Sequence, residues 1–243
     1  MAWDDKKHWS YNGYFEHIKE VAHHTVAPTG CRLPLVDGIE YFPLWWIRME
    51  VRVFWEPSIP RQTAEFITGI VNEQMSKFGL KEFDFKMFGS HSSAMEQIAQ
   101  ATVNGQVDEQ KLVDLGLTEH WRDESRGGRQ HADIWITDKP FINDTVSWGA
   151  ACFAHGGMVF ALHGQRPHNR NFLRNVAIHE TNHLLGMYMH CDNYQNVEGF
   201  DYDRKCNMHY SCPSDKLCEK CRALILMWWT QVFKEHELFM QQV

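Results

Sequence analysis

Residues 179–192 read HETNHLLGMYMHCD, and they constrain the fold more than any other stretch of the chain. His179 and His183 stand four apart, which on a helix places both on one face about a turn apart, with imidazoles able to meet at one ion. A catalytic zinc typically takes three protein ligands and keeps a position for water, whose pKa it lowers to about 7. Glu180, next to the first histidine, is placed to accept that water's proton. The third ligand has to come back from beyond the helix end. Gly186 supplies the turn, because glycine takes the left-handed conformation that redirects a chain leaving a helix.

In a chain with 15 histidines, HExxH arises by chance in roughly 6% of such sequences, and requiring Gly186 lowers this to roughly 0.4%. The metal reading therefore outweighs coincidence. Three places after the glycine stands Met189, and His190 follows one residue later. Thioether sulfur is a poor partner for zinc beside two imidazoles, whereas an extra residue of about 3.3 Å can be absorbed in a loop. His190 is the expected third ligand, and Asp192 is the other candidate.

Seven cysteines are present, and Cys191, Cys206, Cys212, Cys218 and Cys221 crowd into 31 residues, with Cys31 and Cys152 elsewhere. Without a recognisable secretion signal, that clustering favours metal binding over a disulfide framework. The first residues, MAWDDKKHWSYNGY, contain no apolar run, and none long enough to span a membrane occurs later, so a cytoplasmic location is expected. Against 24 Lys and Arg stand 31 Asp and Glu, a net charge of -7, which disfavours nucleic acid and anionic membranes as partners.

Periodicity predicts the framework. IRMEVRVFWE (47–56) alternates as a half-buried strand, residues 64–78 follow helical spacing, and FDFKMF resumes the strand pattern. Residues 93–121 read as helix and then loop, RDESRGGRQ as a mobile segment, and HADIWITD as a third strand. MVFALH is a further strand, a helix from about Asn171 to Leu185 carries the histidines, and CEKCRALILMWWTQVFKEHELF closes the chain. YFEHIKEVAHHT, near the start, suits a short amphipathic helix.

The HExxHxxG run, a following histidine and the methionine of CNMHY (206–210) resemble the metzincins, whose pattern is HExxHxxGxxH with a methionine turn below the metal. Cys191 directly after the third histidine, Cys206 two before Met208, and the Cys218–Cys221 pair resemble the archaemetzincins more closely. This resemblance, which covers mainly residues 157–221, implies an α+β zincin with a twisted mixed sheet and packed helices above an active-site cleft. It implies an N-terminal subdomain over 1–186 and a small zinc-stabilised C-terminal subdomain over 187–243. It implies two zinc ions per chain: a catalytic one on His179, His183 and His190, and a structural one on Cys191, Cys206, Cys218 and Cys221. Cys212 is left over, or replaces one of the four. Met208 would form a soft floor beneath the histidines, and Tyr210 either stabilises an oxyanion or is structural. The spacings depart from the family's: one residue is added before His190, the gap from Cys191 to Cys206 is longer, and that from Met208 to Cys218 is shorter.

By the same resemblance the chain is a zinc metallopeptidase with Glu180 as general base and acid, acting on a peptide or protein that pairs with an edge strand, for which MVFAL has the right position. A monomer is expected. Arg166, Arg170 and Arg174, just before or within the first turns of the histidine helix, either meet an acidic substrate group or are solvated surface charge. The rival reading is an inactive, zinc-stabilised peptide-binding protein whose displaced third ligand leaves the metal site malformed. A nucleic-acid zinc module is disfavoured, since no basic excess follows Cys191.

Overall fold

A computed structural model describes residues 35–36, 39–40, 50–78, 84–113, 115, 131–152, 157–185, 187, 190–194, 203–223 and 225–226. The expected N-terminal helix, the RDESRGGRQ segment, Gly186, Met189 and most of the last helix lie outside these residues. Two-residue strands β1 (Leu35–Val36) and β2 (Ile39–Glu40) pair antiparallel. The main elements then run β3 (Glu50–Trp55), α1 (Arg61–Lys77), β4 (Asp84–Gly89), α2 (Ser92–Ala101), β5 (Thr102–Val103), β6 (Gln106–Val107), β7 (His131–Thr137), β8 (Gly149–Cys152), β9 (Gly157–Ala161) and α3 (Arg170–Leu184).

Five strands form a mixed sheet in the order β4-β3-β7-β9-β8. The first four are mutually parallel and β8 runs antiparallel to β9 at one edge. Parallel strands joined by helices are covered on both faces, and the side chains follow. Val51, Val53, Ile134, Ile136, Met158 and Phe160 point to the face packed by α1 and α3. Phe54, Trp135, Val159 and Ala161 point to the other face, covered by α2 through Ala94, Ile98 and Ala101. The half-buried reading of 47–56 is thus corrected: Phe54 is buried, and Arg52 makes a two-pronged ion pair with the buried carboxylate of Asp133 on the neighbouring strand. MVFAL is corrected too. It is the inner strand β9, and the edge belongs to β8, whose short GAAC sequence carries little strand propensity.

The arginines ahead of the histidines are committed within the fold. Arg166 donates to the carbonyls of Thr145, Val146, Ser147 and Ala161 and lies over the Trp148 ring, which clamps the segment leading into β8. Arg170 lies over Phe66, and Arg174 pairs with Glu73 on α1. None of the three is a merely solvated charge. Among the described residues, no helix is long and apolar enough to cross a membrane.

Candidate metal centres

Helix α3 is capped by Asn169, whose side chain accepts the Phe172 N–H. It buries Leu173, Val176, Ala177 and Ile178 against the sheet and brings His179, Glu180 and His183 to its C-terminal end. There the Leu185 N–H bonds the Thr181 carbonyl and the Met187 N–H reaches back to Asn182, closing the helix.

The three histidines converge. His179 Nε2 lies 3.0 Å from His183 Nε2 and 3.1 Å from His190 Nε2, close to the spacing of about 3.3 Å that tetrahedral zinc with Zn–N near 2.05 Å requires. His179 Nδ1 donates to the Asn207 carbonyl at 2.7 Å and His183 Nδ1 to the Met187 carbonyl at 2.6 Å. A carbonyl only accepts, so both Nδ1 atoms carry hydrogen. Burial and neighbouring histidines push the His179 ring down to about 4 and His183 well below its ordinary value, which keeps both neutral. Two Nε2 lone pairs therefore face each other with no proton between them. This arrangement is repulsive unless a cation sits there, and the donor set fits zinc.

Glu180 is 5% exposed, and burial raises its carboxyl to about 8. Metal-free, it is protonated at neutral pH; a divalent cation on the adjacent imidazoles pulls the other way. Zinc uptake at pH 7 should therefore release about one proton fewer from Glu180→Gln than from the natural chain, measured by calorimetry in buffers of different ionisation enthalpy. Equal release would show that Glu180 does not lose a proton when zinc binds.

The edge strand leaves room for this carboxyl only because residue 149 has no side chain. A Cβ on Gly149 would sit 2.7 Å from Glu180 Cγ, 2.8 Å from its Oε1 and 2.9 Å from Val176 Cγ1. Gly149→Ala should shift the carboxyl by a good fraction of an ångström and lower any turnover about 100-fold, since misplacement of about 1 Å costs that much. Zinc content should stay unchanged, and wild-type kinetics in this variant would show that the strand simply gives way.

Cys191, Cys206, Cys218 and Cys221 bring their sulfurs within 4.8 Å of one another. Cys191 Sγ and Cys218 Sγ are 3.9 Å apart, too far for a disulfide and near the roughly 3.8 Å of a zinc tetrathiolate. The Cys218 N–H donates to Cys206 Sγ and the Cys221 N–H to Cys218 Sγ. Hydrogen bonds from the Cys191, Cys206 and Cys221 thiols hold the Cys218 thiol well below the usual range. Cys212 stands outside this group: buried, with positive φ, its thiol pushed up to about 12 by burial.

The other expected residues divide. Met208 is fully buried, and its carbonyl accepts the Cys191 N–H, which couples the histidine segment to the methionine turn. The Tyr210 ring stands edge-on to His190, and its hydroxyl donates to Asp144 in the segment before β8 at 2.5 Å. Asp192 accepts the Tyr210 N–H and does not join the histidines. Gly149, Asn182 and Asn207 are not legible as site residues from the sequence, although the last two sit inside HETNH and CNM.

No family model matches the chain, and no curated protein does. Among solved structures, an archaemetzincin from Methanopyrus kandleri matches with a TM-score of 0.51 at 18% identity, over 76% of this chain and 97% of that one. A zinc-dependent peptidase from Methanocorpusculum labreanum matches with a TM-score of 0.44 at 15% identity, over 72% of this chain and 99% of that one. With the first of these the likeness is one of fold, and this chain has an archaemetzincin-like fold.

Proposed function

We propose that this chain is a zinc-dependent peptidase that carries two zinc ions, one on His179, His183 and His190 and one on Cys191, Cys206, Cys218 and Cys221. The observation that carries the reading is the convergence of three imidazole Nε2 atoms, with the Nδ1 protons of His179 and His183 committed to backbone carbonyls, beside the buried carboxyl of Glu180 on the helix that bears those two histidines. When bound, zinc supplies Lewis acidity, making a water acidic near neutral pH and polarising a carbonyl.

The chain's own residues do the rest. The edge strand β8 offers backbone groups to an extended peptide and runs alongside Glu180, with Gly149 against its carboxyl. Glu180 takes the proton of the attacking water on a carboxylate oxygen and delivers it to the amide nitrogen as the C–N bond breaks. His179 and His183 are held rigid by their carbonyl partners, so the site needs no rearrangement to receive charge. The inactive-binder reading required the displaced third ligand to fall short, whereas His190 reaches the other two. Reduced thiols are needed at the cysteine cluster, which suits a cytoplasmic setting.

Removal and return of metal tests this proposal. Dialysis against a chelator should abolish cleavage of a mixed peptide library, and stoichiometric Zn²⁺ should restore it. Cleavage that survives loss of all zinc, or zinc-loaded protein that binds peptides and never cuts them, would contradict the reading.

A further inference from the structure

Three buried amide side chains form an unbroken line from α1 to the first histidine. Gln74 Nε2 donates to Asn182 Oδ1 at 2.7 Å, and Asn182 Nδ2 donates to Asn207 Oδ1 at 3.1 Å. Asn207 Nδ2 then donates to the backbone carbonyls of Asn175 at 2.9 Å and Ser214 at 2.7 Å. The Asn207 N–H is held by the Lys216 carbonyl, and its own carbonyl accepts His179 Nδ1–H. Gln74 is 3% exposed, and Asn182 and Asn207 are 0% exposed.

The direction of this line is set at one end. Two backbone carbonyls can only accept, so Asn207 must present its NH₂ to them and its oxygen to Asn182. That choice propagates to Gln74, and every amide sits in one orientation. The backbone of Asn207 is thereby fixed from both sides of its side chain and from its own N–H, which leaves its carbonyl in one position. Neutral amides suit this place, since a charged residue would add a field beside the imidazoles. Apolar side chains would fill the same volume without aiming a carbonyl, so packing alone does not call for amides here.

We infer that Asn207, held by Asn182 and Gln74, is a positioning residue that locks His179 in its Nδ1–H tautomer and aims Nε2 at the metal. The inference rests on reading His179 as a zinc ligand. Asn207→Asp keeps the shape but loses both donors to the Asn175 and Ser214 carbonyls. Gln74→Met removes only the far anchor of the line and leaves every group near the histidines in place.

The test reads the ring-nitrogen shifts of His179 by NMR in metal-free protein, and the Zn²⁺ Kd of the histidine site by competition with a chromophoric chelator. Asn207→Asp should mix the two tautomers of His179 and raise Kd about 10- to 100-fold, the usual effect of removing a partner behind a ligand. Gln74→Met should raise Kd about threefold with a smaller shift in the same direction. It decides the question if Asn207→Asp does not fold. Folded variants with wild-type ring shifts and wild-type Kd would overturn the inference. If the natural chain takes no zinc on its histidines, the peptidase reading fails, while the metal-free ring shifts still decide whether Asn207 sets the tautomer.

Discussion

Glu180→Gln should lower peptide hydrolysis by about 10²- to 10⁴-fold, the range associated with loss of a general base, while zinc content stays unchanged. The amide matches the carboxyl in size and cannot take a proton from water. It should cost little stability. Burial already holds the Glu180 carboxyl neutral in the metal-free chain at pH 7, raised to about 8, and an amide is a close neutral substitute. The sign of the pH effect follows from that raised value. In the metal-free chain this carboxyl ionises from 4.5 upward when unfolded and only near 8 when folded, so the stability tied to its neutral form is present in full below 4.5 and is lost progressively as pH rises from there through about 8, a window over which Glu180→Gln should be insensitive. Stopped-assay cleavage rates with metal analysis on the same samples check the first claim. Unaltered rates would remove Glu180 from the chemistry and leave the histidines without a base.

Cys221→Ser should have the largest effect on the fold. Cys221 is fully buried and its sulfur lies with three others around a common centre. Structural zinc in small domains contributes about 10–16 kcal/mol in binding free energy. In a chain with an independent sheet core, loss of one of four ligands should cost on the order of 5 kcal/mol, which is about 10–20 °C in melting temperature for a protein of this size. The damage should spread to the histidine site. His190 is bonded to Cys191 through one peptide link, and Asn207, whose carbonyl holds His179, follows Cys206 directly. The variant should therefore lose the cysteine zinc outright and hold the second zinc more weakly. Calorimetry and metal counting check both parts, and an unchanged melting temperature would show that the cysteines merely pack together.

The helix pair of histidines was legible because a spacing of four is a local property of a helix, independent of the rest of the fold. His190 was reached by elimination, since ligand chemistry rules out a thioether at that place, and the fold accommodates the extra residue. Strand β7 and helix α3 announced themselves by apolar period. Strand order did not. The continuous apolar run MVFAL speaks of burial and says nothing about which neighbours pair with it, while GAAC carries no strand signal, so edge and interior were exchanged. The hairpin of β5 and β6 was lost for a similar reason, being only two residues on each side. Arg166 was legible as a charge and illegible as a clamp, because three of its four carbonyl partners, Thr145, Val146 and Ser147, lie on a segment about 20 residues earlier. The role of Gly149 depends on a side chain 31 residues away reaching within 3 Å of a missing Cβ, which no pattern within a strand encodes. Asn207 acts on His179 through a backbone carbonyl, which every residue possesses, so its type gave no hint of that contact.

The proposed peptidase activity depends on His179, His183 and His190 surrounding a single ion while the four cysteines surround another. Anomalous diffraction at the zinc edge, from crystals grown with Zn²⁺, tests it directly. Two peaks are expected per chain: one about 2.0–2.1 Å from the three Nε2 atoms, and one about 2.3 Å from the four sulfurs. A single peak at the sulfurs, with the three imidazoles turned apart in fully zinc-loaded crystals, would contradict the account.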